Sequence, residues 1–171
     1  MLKMNLSTEN LLLNLIIFKI GNEKYAFNIE NVFRIVGLEN IKKILNTPDF
    51  FIGIIKVDNI IVPIIDLYAK YNIGKFNYTK NSCIVILQIN IDNEETFFIG
   101  IITNDIIDIL EINNDKILPV PVIENKINNS GLFIGAIDDN SDIILIITPE
   151  GIFSHNEINT IKNLLLKPKK L

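Results

Sequence analysis

The sequence predicts a mostly β protein in which one strand pattern is written twice and a single helix follows near the C-terminal end. Three observations carry this reading. Short, near-continuous apolar runs are separated by Gly, Asn, Asp and Pro, the punctuation of strands and tight turns. Isoleucine dominates the apolar positions, and its β-branched side chain suits pleated sheets better than helices. Three blocks of the first half also recur in order in the second half, the mark of an internal repeat.

The central block of the repeat spans residues 26–38 (A-F-N-I-E-N-V-F-R-I-V-G-L), which lie over residues 100–112 (G-I-I-T-N-D-I-I-D-I-L-E-I) without a gap. Both read as a strand end, a polar step and a second apolar stretch with a charge in its middle. Upstream, residues 15–20 have a counterpart in 84–89. Downstream, F-I-G-I-I at 51–55 recurs as F-I-G-A-I at 133–137. Each copy runs into a polar turn (56–59; 138–142) and another apolar strand (60–65; 143–147). Gly21-Asn22 joins the first hairpin, and Asp58-Asn59 forms a hairpin tip that tolerates positive φ. Evenly spaced short strands predict a barrel or sandwich. Two halves of roughly 70 residues bury too little apolar surface to stand alone, so they are expected to share a core.

The last segment changes period. Ser154 followed by Glu157 forms a capping box, and Ile158, Ile161, Leu164 and Leu165 then fall on one face at helical spacing. Pro168 ends the pattern. This helix is expected to cover an open barrel face.

Composition narrows the function. The chain is 49% hydrophobic, yet no run is a membrane span, which needs about 20 nearly uninterrupted apolar residues. Residues 11–20 are broken by Asn14 and Lys19, and residues 52–67 by Lys56, Asp58, Asn59 and Pro63. Glu9 and Asn10 precede the first apolar stretch, unlike a signal peptide, so the expected location is cytoplasmic. A net charge of −4 argues against nucleic acid; the one basic cluster, Lys167-Pro168-Lys169-Lys170, reads as a solvated end.

Catalytic chemistry finds no foothold. His155 is the only histidine, which excludes a multi-histidine metal site and leaves no triad base outside a helix start. No phosphate-binding loop or dinucleotide fingerprint occurs. Glu94-Glu95 and Asp138-Asp139 fall at predicted turns, and the acidic run 138–142 lacks the glycine and distal glutamate of a calcium loop. Cys83, the single cysteine, sits in an apolar run and reads as a buried, inert thiol. The expectation is a non-enzyme without metal or cofactor.

Residues 53–67, G-I-I-K-V-D-N-I-I-V-P-I-I-D-L, resemble the hallmark of the CheW family of chemotaxis adaptors, G-V-x-N-L-R-G-x-I-V-P-V-x-D-L. Supporting matches are Y-A-F-N-I-E-N-V at 25–32, N-T-P-D-F at 46–50, residues 100–109 and F-I-G at 133–135. The resemblance implies two intertwined SH3-like five-stranded β-barrels related by a pseudo-twofold axis, with a C-terminal α-helix. It also implies one CheW-like domain over 12–154, with halves 12–82 and 83–154 each a barrel subdomain, then the helix at 155–167. By the same resemblance the chain couples methyl-accepting chemotaxis receptors to the regulatory domain of the histidine kinase CheA. Receptor contact falls on Val32, Arg34, Ile35, Gly53, Lys56, Asp58 and Asn59; the kinase-binding residues stay unassigned.

The chain departs from the family pattern where receptors would be met. The family's hairpin arginine reads Asp58, and the acid of its V-x-E-I reads Arg34. Two further family acids read Asn104 and Thr148. The first two changes look reciprocal, which predicts a charge-swapped Arg34–Asp58 pair and a preference for particular receptors. The alternatives are a divergent paralogue serving a non-standard receptor and a small β-barrel ligand-binding protein. The last would need a polar cavity where an adaptor has a filled interior.

Overall fold

A computed structural model describes residues 10–91, 95–121 and 131–166. The chain opens with β1 (Leu12–Ile20), β2 (Glu23–Asn28), a 3₁₀ turn at Ile29–Asn31 and β3 (Val32–Val36). The hairpin of β4 (Phe51–Val57) and β5 (Ile60–Ile65) follows, then the short helix α1 (Leu67–Tyr71). The order then repeats: β6 (Cys83–Ile91), β7 (Glu95–Thr103), β8 (Asp105–Asn113), a 3₁₀ turn at Asn114–Lys116, β9 (Phe133–Asp139), β10 (Asp142–Ile147) and α2 (Pro149–Ile152). Helix α3 (His155–Leu166) closes the sequence of elements.

The strands form two five-stranded sheets, ordered β8-β1-β2-β10-β9 and β3-β6-β7-β5-β4. Exchanging β1 to β5 with β6 to β10 converts one order into the other, so the sequence repeat is a spatial pseudo-twofold. The expectation that halves 12–82 and 83–154 are each a barrel fails. Each barrel takes a hairpin from one half and three strands from the other. The joints are the antiparallel pairs β1 with β8 and β3 with β6, and the parallel pairs Tyr25–Ala26 with Leu145–Ile146 and Ile64–Ile65 with Gly100–Ile101. Neither half can complete a sheet from its own strands.

Burial explains why the exchange is stable. Along β1, Leu15 and Ile17 enter the core of the first barrel, while Ile16, Phe18 and Ile20 face a central layer. Along β6, Ile84 and Ile86 fill the second barrel, while Val85, Leu87 and Ile89 face the same layer. Both strands are therefore apolar on both faces, which is why they read as continuous rather than alternating runs. The barrel interiors are filled by Ile, Val, Leu and Phe.

Two glycines mark the repeat in the backbone. Ile54 on β4 exchanges hydrogen bonds of 2.8 Å with Lys42, and Ala136 on β9 bonds Leu118 at 2.8 and 2.9 Å. Beside each bridge a glycine leaves room for the crossing chain. A Cβ on Gly53 would stand 2.4 Å from the Lys42 oxygen, and one on Gly135 2.3 Å from Ile117 Cγ2.

The capping box of α3 forms as expected: Ser154 N–H donates to Glu157 Oε2 at 2.8 Å, and Glu157 N–H to Ser154 Oγ at 3.2 Å. Ile158 and Ile161 are buried in the central layer and Leu165 packs against it. Leu164 departs from the expected face and is 37% exposed, because at about 100° per residue it falls beyond the edge of the stripe centred on the other three. Pro168 and the lysine tail lie outside the described residues. Two salt bridges clamp the helix, Lys162 to Glu95 and Lys70 to Glu157, the latter at 2.7 Å. Glu95 thus belongs to a strand and an ion pair rather than to a turn; Glu94 lies outside the described residues. Lys70 is only 8% exposed and lies over the rings of Phe50, Tyr71 and Phe153.

Two outcomes test this packing. Gly53→Ala and Gly135→Ala should each destabilise the fold by about 1–3 kcal/mol in denaturant unfolding, because the neighbour is backbone or packed isoleucine rather than a flexible tip. Burial pushes the Glu157 carboxyl up, but hydrogen bonds from Lys70 and Ser154 more than offset this and hold it below the usual glutamate range. Its contribution is therefore present above the unfolded pKa and lost as pH falls through the folded one. Glu157→Gln should lower stability at neutral pH and flatten the acid limb of the stability–pH profile.

Candidate functional site

The two outer strands of the second sheet, β3 and β4, share no ladder. Their seam is crossed instead by side chains at one end. Asp58 and Asn59 adopt φ of 46° and 66°, the positive-φ pair of a two-residue hairpin tip. That tip turns Asp58 toward β3, where Arg34 Nη2 lies 2.5 Å from Asp58 Oδ2. The reciprocal substitution thus forms a direct ion pair, 45% and 55% exposed on its two side chains. At such exposure its own stabilisation is about 0–1 kcal/mol, so its significance lies in geometry. Val36, Ile55, Lys56 and Val57 line the cleft beside it, about 480 Å³ in volume.

The seven expected receptor-facing residues do not form one uniform surface. Arg34, Ile35, Lys56, Asp58 and Asn59 are exposed. Val32 is half-buried against the central layer, and Gly53 is buried beneath the Lys42 bridge, so it supports the hairpin from behind. Sequence reading missed the apolar neighbours. Ile29 and Phe33 are exposed around β3, and on β8 so are Ile107 and Ile109. The gapless repeat pairs Phe33 with Ile107 and Ile35 with Ile109, and that periodicity was the signal that could have found them. Ile35 pairs with Val85 and Ile109 with Ile16, so both stand on the rim of the central layer.

Residues expected to differ from the family acids have structural work. Asn104 is buried, accepts from Gly21 N–H at 2.6 Å and donates to the Asn77 carbonyl at 2.7 Å. A carboxylate could not make the second bond. Thr148 caps α2, accepting from Gly151 N–H and donating to the Gly131 carbonyl. Its repeat equivalent is Asp66, the last acid of the hallmark, which caps α1 through Tyr68 and Ala69 N–H. Cys83 is half-buried rather than buried, because it starts β6, and its Sγ lies 3.3 Å from Thr103 Oγ1.

Asp66 yields a prediction. Burial pushes its carboxyl up, against the lowering effect of the two backbone bonds, while its oxygen accepts from both N–H groups as a helix cap. Asp66→Ala should cost about 1 kcal/mol of unfolding free energy, whereas Asp66→Asn, an equally good cap, should cost only a few tenths.

Among the described residues, no helix is long and apolar enough to cross a membrane. Comparison with known proteins agrees with this architecture. A family model described as a CheW-like domain matches residues 14–157. The chain is 29% identical over 149 residues to the chemotaxis protein CheW of Klebsiella aerogenes, covering 86% of each. It is 28% identical over 135 residues to that of Helicobacter pylori, covering 79% of this chain and 78% of the other. The crystal structure of the scaffolding protein TtCheW from Thermoanaerobacter tengcongensis superposes with a TM-score of 0.73 at 27% identity. That match covers 88% of this chain and 93% of the other. With the repeat, the two exchanged barrels and the matched span in agreement, this chain belongs to the CheW family of chemotaxis scaffold proteins.

Proposed function

We propose that the chain is a non-catalytic adaptor that couples methyl-accepting chemoreceptors to the regulatory domain of the histidine kinase CheA. It works in the cytoplasm, at receptor arrays. The observation that carries this reading is the Arg34–Asp58 pair, set beside exposed Ile35 and Phe33 at the barrel seam. An ion pair flanked by apolar side chains suits docking of an amphipathic helical partner, with apolar contact giving affinity and charge fixing register.

Filled interiors support an adaptor over a ligand-binding barrel. Val62, Ile64, Ile84 and Ile86 are fully buried where a ligand would sit, and the clefts open at the two seams and beside α3. The reversed order of charge favours the paralogue form of the reading, in which the adaptor serves receptors whose complementary charges are reversed too.

Co-sedimentation with receptor signalling tips and the kinase regulatory domain tests both levels. Arg34→Glu and Asp58→Arg should each weaken receptor capture while leaving kinase capture intact. The double reversal should recover part of the loss, with a coupling of about 0.5–1 kcal/mol. Strictly additive losses would remove the pair from the receptor surface, and retention of neither partner by wild type would remove the adaptor reading.

A further inference from the structure

The ion pair has a foundation that no motif marks. Against β6, the register of β3 passes from Val32 opposite Leu87 to Arg34 opposite Ile86, which leaves Phe33 as a bulge. A bulge re-aims the side chain it frees. Here the Phe33 ring lies 4.8 Å from the Phe98 ring at an interplanar angle of 55°. The Arg34 guanidinium in turn stands 5.5 Å from the Phe33 ring centre. Phe98 packs against the second barrel's core. A continuous line of contacts therefore runs from that core through Phe98 and Phe33 to Arg34 and ends on Asp58.

An exposed arginine paired with one carboxylate is poorly held, because a long side chain must be fixed in one geometry. The aromatic face supplies the missing support through cation–π attraction. Asp58 meets the guanidinium at Nη2, and a guanidinium carries five N–H donors in a planar fork, more than one carboxylate can occupy, so the group can also receive a second carboxylate. We infer that Phe33, seated on Phe98, positions Arg34 and makes this surface select partners that present a carboxylate. The inference rests on the receptor reading above and names the partner chemistry at that surface. Phe33 is a specificity-determining, positioning residue; the repeat equivalent of the Phe33–Arg34 pair is Ile107–Asp108, which cannot do this.

Two readouts on the full chain separate positioning from docking. In the free protein, ¹⁵N relaxation of the Arg34 Nε–H group should report an ordered side chain in wild type and Phe33→Tyr, and a mobile one in Phe33→Leu. Equal order in Phe33→Leu would overturn the positioning role, whatever receptors do. In binding, the probes are a soluble receptor signalling-tip fragment and the same fragment with its surface Glu and Asp changed to Gln and Asn. Wild type and Phe33→Tyr should prefer the acidic fragment by about two- to fivefold, and Phe33→Leu should lose that preference. An undiminished preference in Phe33→Leu would overturn the inference. If wild type bound neither fragment while Arg34 stayed ordered, the receptor reading would fall and the claimed selectivity with it.

Discussion

Both faces of β1 and β6 are buried, and almost everything else in the molecule follows from that constraint. A strand apolar on both sides needs a packed layer on each, which no single sheet of five short strands supplies. The two repeats meet the requirement by exchanging strands, so each barrel core lies on one side of its double-faced strand and the common layer on the other. Phe18 stacked on Phe27 at 4.6 Å stands at this layer, and α3 covers it. The exchange makes the two barrels one cooperative unit, because neither can unfold without opening the core of the other.

Such a body is suited to scaffolding. Its relative barrel positions are set by covalent crossing and buried isoleucine rather than by a flexible linker, so its two seams hold a fixed geometry relative to each other. The pseudo-twofold then creates two similar seams, β3 with β4 and β8 with β9, that need not do the same thing. Arg34 is replaced in the repeat by Asp108, and Lys56 by Asp138. Near the second seam, Lys24 is instead tied to Asp139 at 3.0 Å and Asp142 at 3.8 Å. Similar backbones thus carry opposite charge at equivalent points, which gives a symmetric fold two chemically distinct faces.

The hallmark stretch divides into roles once its neighbours are seen. Gly53 admits the crossing chain, and Asp66 caps a helix. Pro63 lies one residue before the parallel ladder of β5 to β7 begins at Ile64, which limits the damage of its missing N–H. Most of the motif therefore maintains the hairpin, and the tip within it holds the ion pair with Arg34. A strong motif can mark a scaffold more clearly than a contact surface.

The sequence by itself determined the succession of strands along the chain, the hairpin tips, the repeat and the capping box of α3. Each of these depends on neighbours a few residues apart or on periodicity along the chain. It also exposed the reciprocal substitution at Arg34 and Asp58, since two departures from one pattern can be read without coordinates. Only the tertiary structure decided which strands share a sheet, because continuous apolar runs such as β1 and β6 carry no sign of which face meets which partner. It alone separated buried Gly53 from exposed Asp58 within a single motif. Phe33 and Phe98 are 65 residues apart in sequence and belong to different repeats. Their ring contact beside the Arg34–Asp58 pair arises from strand exchange, a long-range packing solution that no local pattern encodes.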